Sequence, residues 1–124
     1  MSWGIAMMGF DAAMGLIEDV GVDYSGETVY IAAPTVEYAI YQELGTSKME
    51  ARPFVRPAAE YVQANTESEI RRISTSQGIP LVSEEAIVRC AALAVQDRMK
   101  RIADRKDIRD TGTLIATIEI ERVS

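Results

Sequence analysis

Apolar residues recur at helical spacing through residues 10–20, where Phe10, Ala13, Met14, Ile17 and Val20 fall on one stripe. That period predicts a short amphipathic helix ended by Gly21. The pattern then changes. In "VDYSGETVYIAA", residues 22–33, a Ser-Gly turn precedes the β-rich run Thr28 to Ala32, which predicts a hairpin. "PTVEYAIYQELG" can be read as alternation or as helix. Pro34 at a helix start, Glu37 in the first turn and Val36, Ile40 and Leu44 at a period of four favour a helix over about 35–44, with Gly45 as its left-handed terminator.

Beyond it the chain stiffens. Arg52 and Arg56 each precede a proline, and a residue in that position is pushed out of helical space, so 46–56 is expected to be an extended arm. Pro57 suits the first position of a new helix, expected to run to about Ile73. "STSQGIPLVS", residues 74–83, has the composition of a linker. Ser83 can then cap another helix, whose stripe Ile87, Ala91, Ala94 or Val95, Met99 and Ile102 continues to about residue 104, with Cys90 beside it in the core. "DTG", 110–112, reads as a turn. The end of the chain alternates Leu114, Ala116, Ile118 and Ile120 against Thr117, Glu119 and Glu121, the pattern of a strand with one wet face. The expected fold class is α+β: a single domain, 1–124, with a small antiparallel sheet made from the 22–33 hairpin and the C-terminal strand, packed against two longer α-helices.

Charge alters this picture more through its distribution than its total of −6. Residues 1–47 hold seven acids and no Lys or Arg, whereas all 13 basic residues lie in 48–124 beside 12 acids. If the fold separates the halves, the subunit is a dipole suited to head-to-tail contacts; if it mixes them, the effect cancels. Histidine is absent and there is one cysteine. The usual general base, an internal disulfide and a thiolate metal cage are therefore excluded, and no cofactor and no enzymatic activity are expected. The apolar opening lacks a basic flank and is interrupted by Asp11, so neither a signal peptide nor a membrane span is expected, and synthesis in a reducing cytoplasm is.

Two stretches carry candidate chemistry. Arg98, Arg101 and Arg105 share a helical face, with Arg109 beyond, and this face could meet phosphate. Interleaved Asp97, Asp104, Asp107 and Asp110, together with the helix dipole, explain the same residues as a neutralised helix end, and this reading is favoured. Glu84 and Glu85 are explained by the dipole at a helix start. In the arm, Phe54 between two prolines is read as a core anchor. Met49 between Lys48 and Glu50 fits equally an adaptable partner contact or a side chain folded over its own domain.

The segment "YAIYQELGTSKMEARPFVRPAAEYV", 38–62, resembles the Y-A-x-x-x-E-x-G-T-S-K-M-x-A-R-P-F-x-R-P-A pattern of the tail-component proteins of tailed bacteriophages, first recognised in Hong Kong 97-type siphophages. "DTGTLIATI", 110–118, is similar to the family's D-T-G-x-L-x-x-S-I, with Thr117 in place of serine. The family places that second segment before the first, so the motif order here is permuted. The resemblance implies a virion structural protein, made in the host bacterial cytoplasm. It would be a neck or tail-completion subunit joining head and tail, acting as a homo-oligomeric ring of six copies beside adjoining neck and tail proteins. Genomic DNA would pass through the lumen without specific binding, and there would be no membrane partner. It makes Glu43, Gly45, Thr46, Ser47, Lys48, Met49, Arg52, Phe54 and Arg56 the candidate assembly interface. A tail terminator capping the tail tube is the nearest alternative, and a nucleic-acid-binding module using the basic face is a more distant one.

Overall fold

The computed structural model describes residues 6–22, 25–34, 55–105 and 118–122. Its elements in chain order are β1 (Ala6–Gly9), α1 (Phe10–Val20), β2 (Val29–Pro34), α2 (Val55–Ala64), α3 (Thr66–Gln77), α4 (Glu84–Arg105) and β3 (Ile118–Arg122). The α+β class holds, with a three-stranded antiparallel sheet in the order β1-β2-β3.

The sheet is assembled differently from the expected hairpin. β2 lies where the Thr28–Ala32 run placed a strand, but its partners are β1, aligned Ala6↔Ala32 and Gly9↔Val29, and β3, aligned Tyr30↔Arg122 and Pro34↔Ile118. β1 has the sequence Ala-Met-Met-Gly, with no β-branched residue. Its local propensity for a strand is low, and pairing with β2 decides its conformation. Pro34 closes β2 rather than opening a helix, a position where its missing N–H does least harm to the ladder. On β3 the alternation follows the sequence: Ile118 is buried and Ile120 half-buried, while Glu119 and Glu121 face water.

Ser83 starts α4 as its composition suggested. Its hydroxyl accepts the Ala86 N–H at 3.1 Å and its carbonyl the Ile87 N–H at 3.1 Å, which satisfies two donors that have no partner inside the helix. Of the 22 residues in α4, twelve are buried, more than a one-sided stripe can supply, so α4 is a core helix enclosed from several sides. It packs against all three strands and against α1, α2 and α3. Ala91, Ala92, Ala94 and Ala103 are fully buried and let those neighbours approach closely, and Cys90 is buried among them. One cluster of buried side chains draws on α1, β2, α2, α3, α4 and β3. Each large member, such as Ile87 or Ile17, contributes roughly 2 kcal/mol by its removal from water.

Four other expectations are corrected. α1 has the predicted bounds, and the Gly21 N–H closes it on the Ile17 carbonyl at 3.0 Å. Among its described side chains, Leu16 is buried beside the expected Ile17, while Val20 in the last turn is 37% exposed. Arg56 is helical rather than extended, because α2 starts at Val55. Pro57 then falls within the first turn, where a missing N–H leaves no intrahelical bond unmade. The helix expected from Pro57 to Ile73 is broken at Asn65, with φ −132° and ψ 34°. There the Asn65 side-chain amide donates to the Tyr61 carbonyl at 2.9 Å and the Thr66 hydroxyl to the Val62 carbonyl at 3.0 Å. Such local side-chain bonds compete with a continuous ladder. α3 then runs past the expected linker start to Gln77 and ends on Gly78, at φ +65°, whose N–H bonds the Ser74 carbonyl. The linker is thus only 78–83. The helix expected over 35–44, the arm before Val55, and the 110–117 segment lie outside the described residues.

Candidate functional site

The break at Asn65 redirects α3 so that its first turns lie against the C-terminal half of α4. Glu69 is nearly buried, at 5% exposure, and accepts three charge-assisted bonds. They come from Arg72 Nε at 2.9 Å, Arg72 Nη2 at 3.3 Å and Arg98 Nη2 at 3.2 Å. Arg72 Nη2 also reaches Asp97 at 3.0 Å, and Arg101 Nε lies 2.9 Å from the same Asp97 oxygen. Burial pushes the Glu69 carboxyl upward, but the bonds from Arg72 and Arg98 outweigh it and hold the group below the usual glutamate range. Arg72 is raised in turn, chiefly by its bond to Glu69.

The expected basic face is therefore divided by its surroundings. Arg98 is largely buried, bound to Glu69 and held over the Tyr61 ring at 3.8 Å from the centroid, and its Nε is buried with no hydrogen-bond partner. Arg101 is matched by Asp97 one turn earlier, as the neutralised-helix reading anticipated. Arg105 is exposed and forms no ion pair with a described residue. Arg109 lies outside the described residues. Between α2 and α4 is an open groove of about 370 Å³, lined among the described residues by Pro57, Tyr61, Arg98, Ile102 and Arg105. Three of these present apolar or aromatic surface, with Arg105 as an added positive charge.

Of the expected assembly residues, Arg56 alone is described. It is exposed on α2 and bonds Glu60 one turn on, at 3.0 Å. Glu43, Gly45, Thr46, Ser47, Lys48, Met49, Arg52 and Phe54 lie outside the described residues. Both flanks of their segment are placed: Pro34 is aligned with Ile118 in the sheet, and Val55 is 2% exposed in the core. Ala58 and Val62, from the end of the same motif, are fully buried, in a helix that packs on α4.

At the opposite end of α4, Glu84 is 7% exposed. Its carboxylate accepts the Ser25 N–H at 3.0 Å, the Ser25 hydroxyl at 3.1 Å and the Gly26 N–H at 2.9 Å. The Ser25 N–H contributes most to holding its carboxyl below the usual range. Beside it the Tyr30 hydroxyl donates to Glu85, and burial first, then this bond, raises the Tyr30 phenol. The dipole account of Glu84 and Glu85 missed these tertiary partners, which lie more than fifty residues away in sequence. Burial also raises the Cys90 thiol, which keeps it a packing residue rather than a thiolate.

Neither Glu69 nor Tyr61 was singled out in the sequence. The Glu69–Arg72 spacing was the one available signal, and it fits an ordinary exposed helix pair equally well. The arrangement supplies fixed charge, an aromatic–guanidinium stack and a shaped groove, features suited to recognition. Among the described residues, no group of three or more His, Cys, Asp or Glu side chains could hold a metal ion, and no helix is long and apolar enough to cross a membrane. No protein-family model, curated protein or solved structure matches the chain.

Proposed function

We propose that the chain is a structural subunit of the tailed-phage neck, a tail-completion protein that joins head and tail as a ring around the DNA channel. The observation that carries this reading is the 38–62 motif, whose run Gly45-Thr46-Ser47-Lys48-Met49 and paired Arg-Pro steps at 52–53 and 56–57 are an unusual combination. Two structural features support it. The end of the motif is seated in the core through Val55, Ala58 and Val62, so the preceding residues leave from a fixed base. The sheet is also compatible with a permuted motif order: Ala6 and Ile120 are both aligned with Ala32, from opposite sides. They are therefore separated by two strand spacings, about 10 Å. A connection between two strands this close is short, so a chain with the motifs in the other order could assemble the same layers.

Pairing of Arg98 with Glu69 and of Arg101 with Asp97 leaves little of the basic face for phosphate, which favours the structural role over nucleic-acid binding. The test is electron microscopy of particles from a phage that encodes this protein, with the gene disrupted. DNA-filled heads beside free tails of normal length are expected. Overlong tails would instead identify a tail terminator, and complete infectious virions would exclude a neck role. A Met49→Ala, Arg52→Glu double variant is expected to fold but fail to incorporate.

A further inference from the structure

The residues that lead into β2 are gripped by a carboxylate of α4. Ser25, Gly26 and Glu27 are exposed and none belongs to the core cluster, yet their successive N–H groups converge on Glu84. Ser25 and Gly26 donate to it directly, at 3.0 and 2.9 Å. The Glu27 N–H reaches it through the Ser25 hydroxyl, which accepts from Glu27 at 3.2 Å and donates to Glu84 at 3.1 Å. Consecutive backbone donors turned to one point make a nest for an anion. Here the resident anion is a side chain 59 positions from Ser25 in the sequence.

The elements on either side have other supports. α4 keeps its start without Glu84, because Ser83 supplies the cap and Ile87 and Val88 anchor that turn in the core. β2 is paired on both sides, with Tyr30 and Ala32 buried. The charged and titratable groups around Glu84 are Glu85 and Arg89 on its own helix, Glu27 and Tyr30 on the gripped side, and Arg122 on β3, aligned with Tyr30. Glu85 accepts from the Tyr30 hydroxyl, a bond that outlasts protonation because a phenol and a carboxyl can each donate or accept. Glu84 differs, since the Ser25 and Gly26 N–H groups can only donate. A proton on Glu84 turns these charge-assisted bonds into weaker neutral ones. We infer that Glu84 is an acid-sensitive latch: ionised, it fixes residues 25–27 against the first turn of α4, and protonated, it frees them while core and sheet stay folded. The held form favours the ionised carboxylate, so the latch opens only as pH falls through a value below the usual glutamate range. The device is independent of the neck reading.

The test is an NMR titration of the full chain, following backbone amide shifts and hydrogen exchange from neutral pH into acid. At pH 7 the Ser25 and Gly26 amides are expected to be protected although their residues are exposed. In acid their shifts should move together with one midpoint below the usual glutamate range, and their protection should fall about tenfold or more. The Ile87 and Val95 amides, inside α4, should stay protected through that step. Glu84→Gln should release the Ser25 and Gly26 amides already at pH 7, and Glu85→Gln should leave them held. Ser25→Ala should free the Glu27 amide and keep that of Gly26.

Ser25 and Gly26 amides that exchange freely in the wild-type chain at pH 7 overturn the latch. So does protection that persists in a folded Glu84→Gln chain. Loss of the Ser25 and Gly26 amides only in step with Ile87 and Val95 overturns it too, because acid would then act by unfolding the whole domain. The wild-type titration decides between these outcomes even if a variant fails to fold.

Discussion

Glu69 shows how much one side chain can carry in a small domain. Its two oxygens bind two guanidiniums, and a third enters the cluster through Asp97. Removing the negative charge would leave Arg98 and Arg72 partly buried with too few acceptors, and an uncompensated charge in such a place is costly. Glu69→Gln is expected to destabilise the fold by about 2 kcal/mol, seen as a lower urea midpoint at nearly unchanged slope. This cluster was not legible in the sequence, because it depends on which face of α3 meets α4. That face is set by the few hydrogen bonds at Asn65 and Thr66. Ser83 was legible because its role is local: the cap and the donors it satisfies lie within four residues. Leu16 was missed, and Val20 taken in its place, because a helical period defines a stripe without saying how much of the last turn extends beyond its neighbours.

Among the elements, the helices show the limit of reading a chain segment by segment. Bounds came out well for α1, where an apolar period and a terminator agree, and for α4, where an apolar period follows a cap. β1 was missed because its four residues acquire strand geometry from pairing alone, and the hairpin was misassigned because β2 takes its partners from distant segments. The two helical glycine sites give an element-scale test of opposite sign. Gly15 lies within α1, and a Cβ added there meets nothing within 4 Å, so Gly15→Ala should raise stability by roughly 0.5–1 kcal/mol through helix propensity. Gly78 ends α3 with positive φ, so Gly78→Ala should lower stability by about 1 kcal/mol despite equally open space. Thermal melts of the two variants should move in opposite directions.

For the whole molecule, acid is the informative perturbation. Glu69 and Glu84 both titrate below the ordinary glutamate value of 4.5 when folded. A depressed folded pKa means that the unfolded chain takes up the proton first as pH falls. The stabilisation from these groups is therefore complete above about pH 4.5 and is lost as pH drops through their folded values. Unfolding midpoints should be flat near neutrality and fall below pH 4.5, and Glu84→Gln should reduce that slope while lowering stability at pH 7. The two carboxylates act at opposite ends of α4, one fixing α3 and the other the loop before β2, so acid weakens both ends together.

The position of β2 in the middle of the sheet also governs the order in which the protein can be completed during synthesis. β1, β2 and all four described helices precede β3 in the chain. Until Ile118–Arg122 is in place, β1 is the one described strand paired with β2, and the core helix α4 lacks the Ile118 side chain and the carbonyl that accepts from Gln96. A chain cut after residue 105 therefore holds all the described helices beside a β2 edge that no described strand pairs, a template for pairing with another molecule. Among the described strands β3 is what closes that edge, so its loss is expected to promote aggregation.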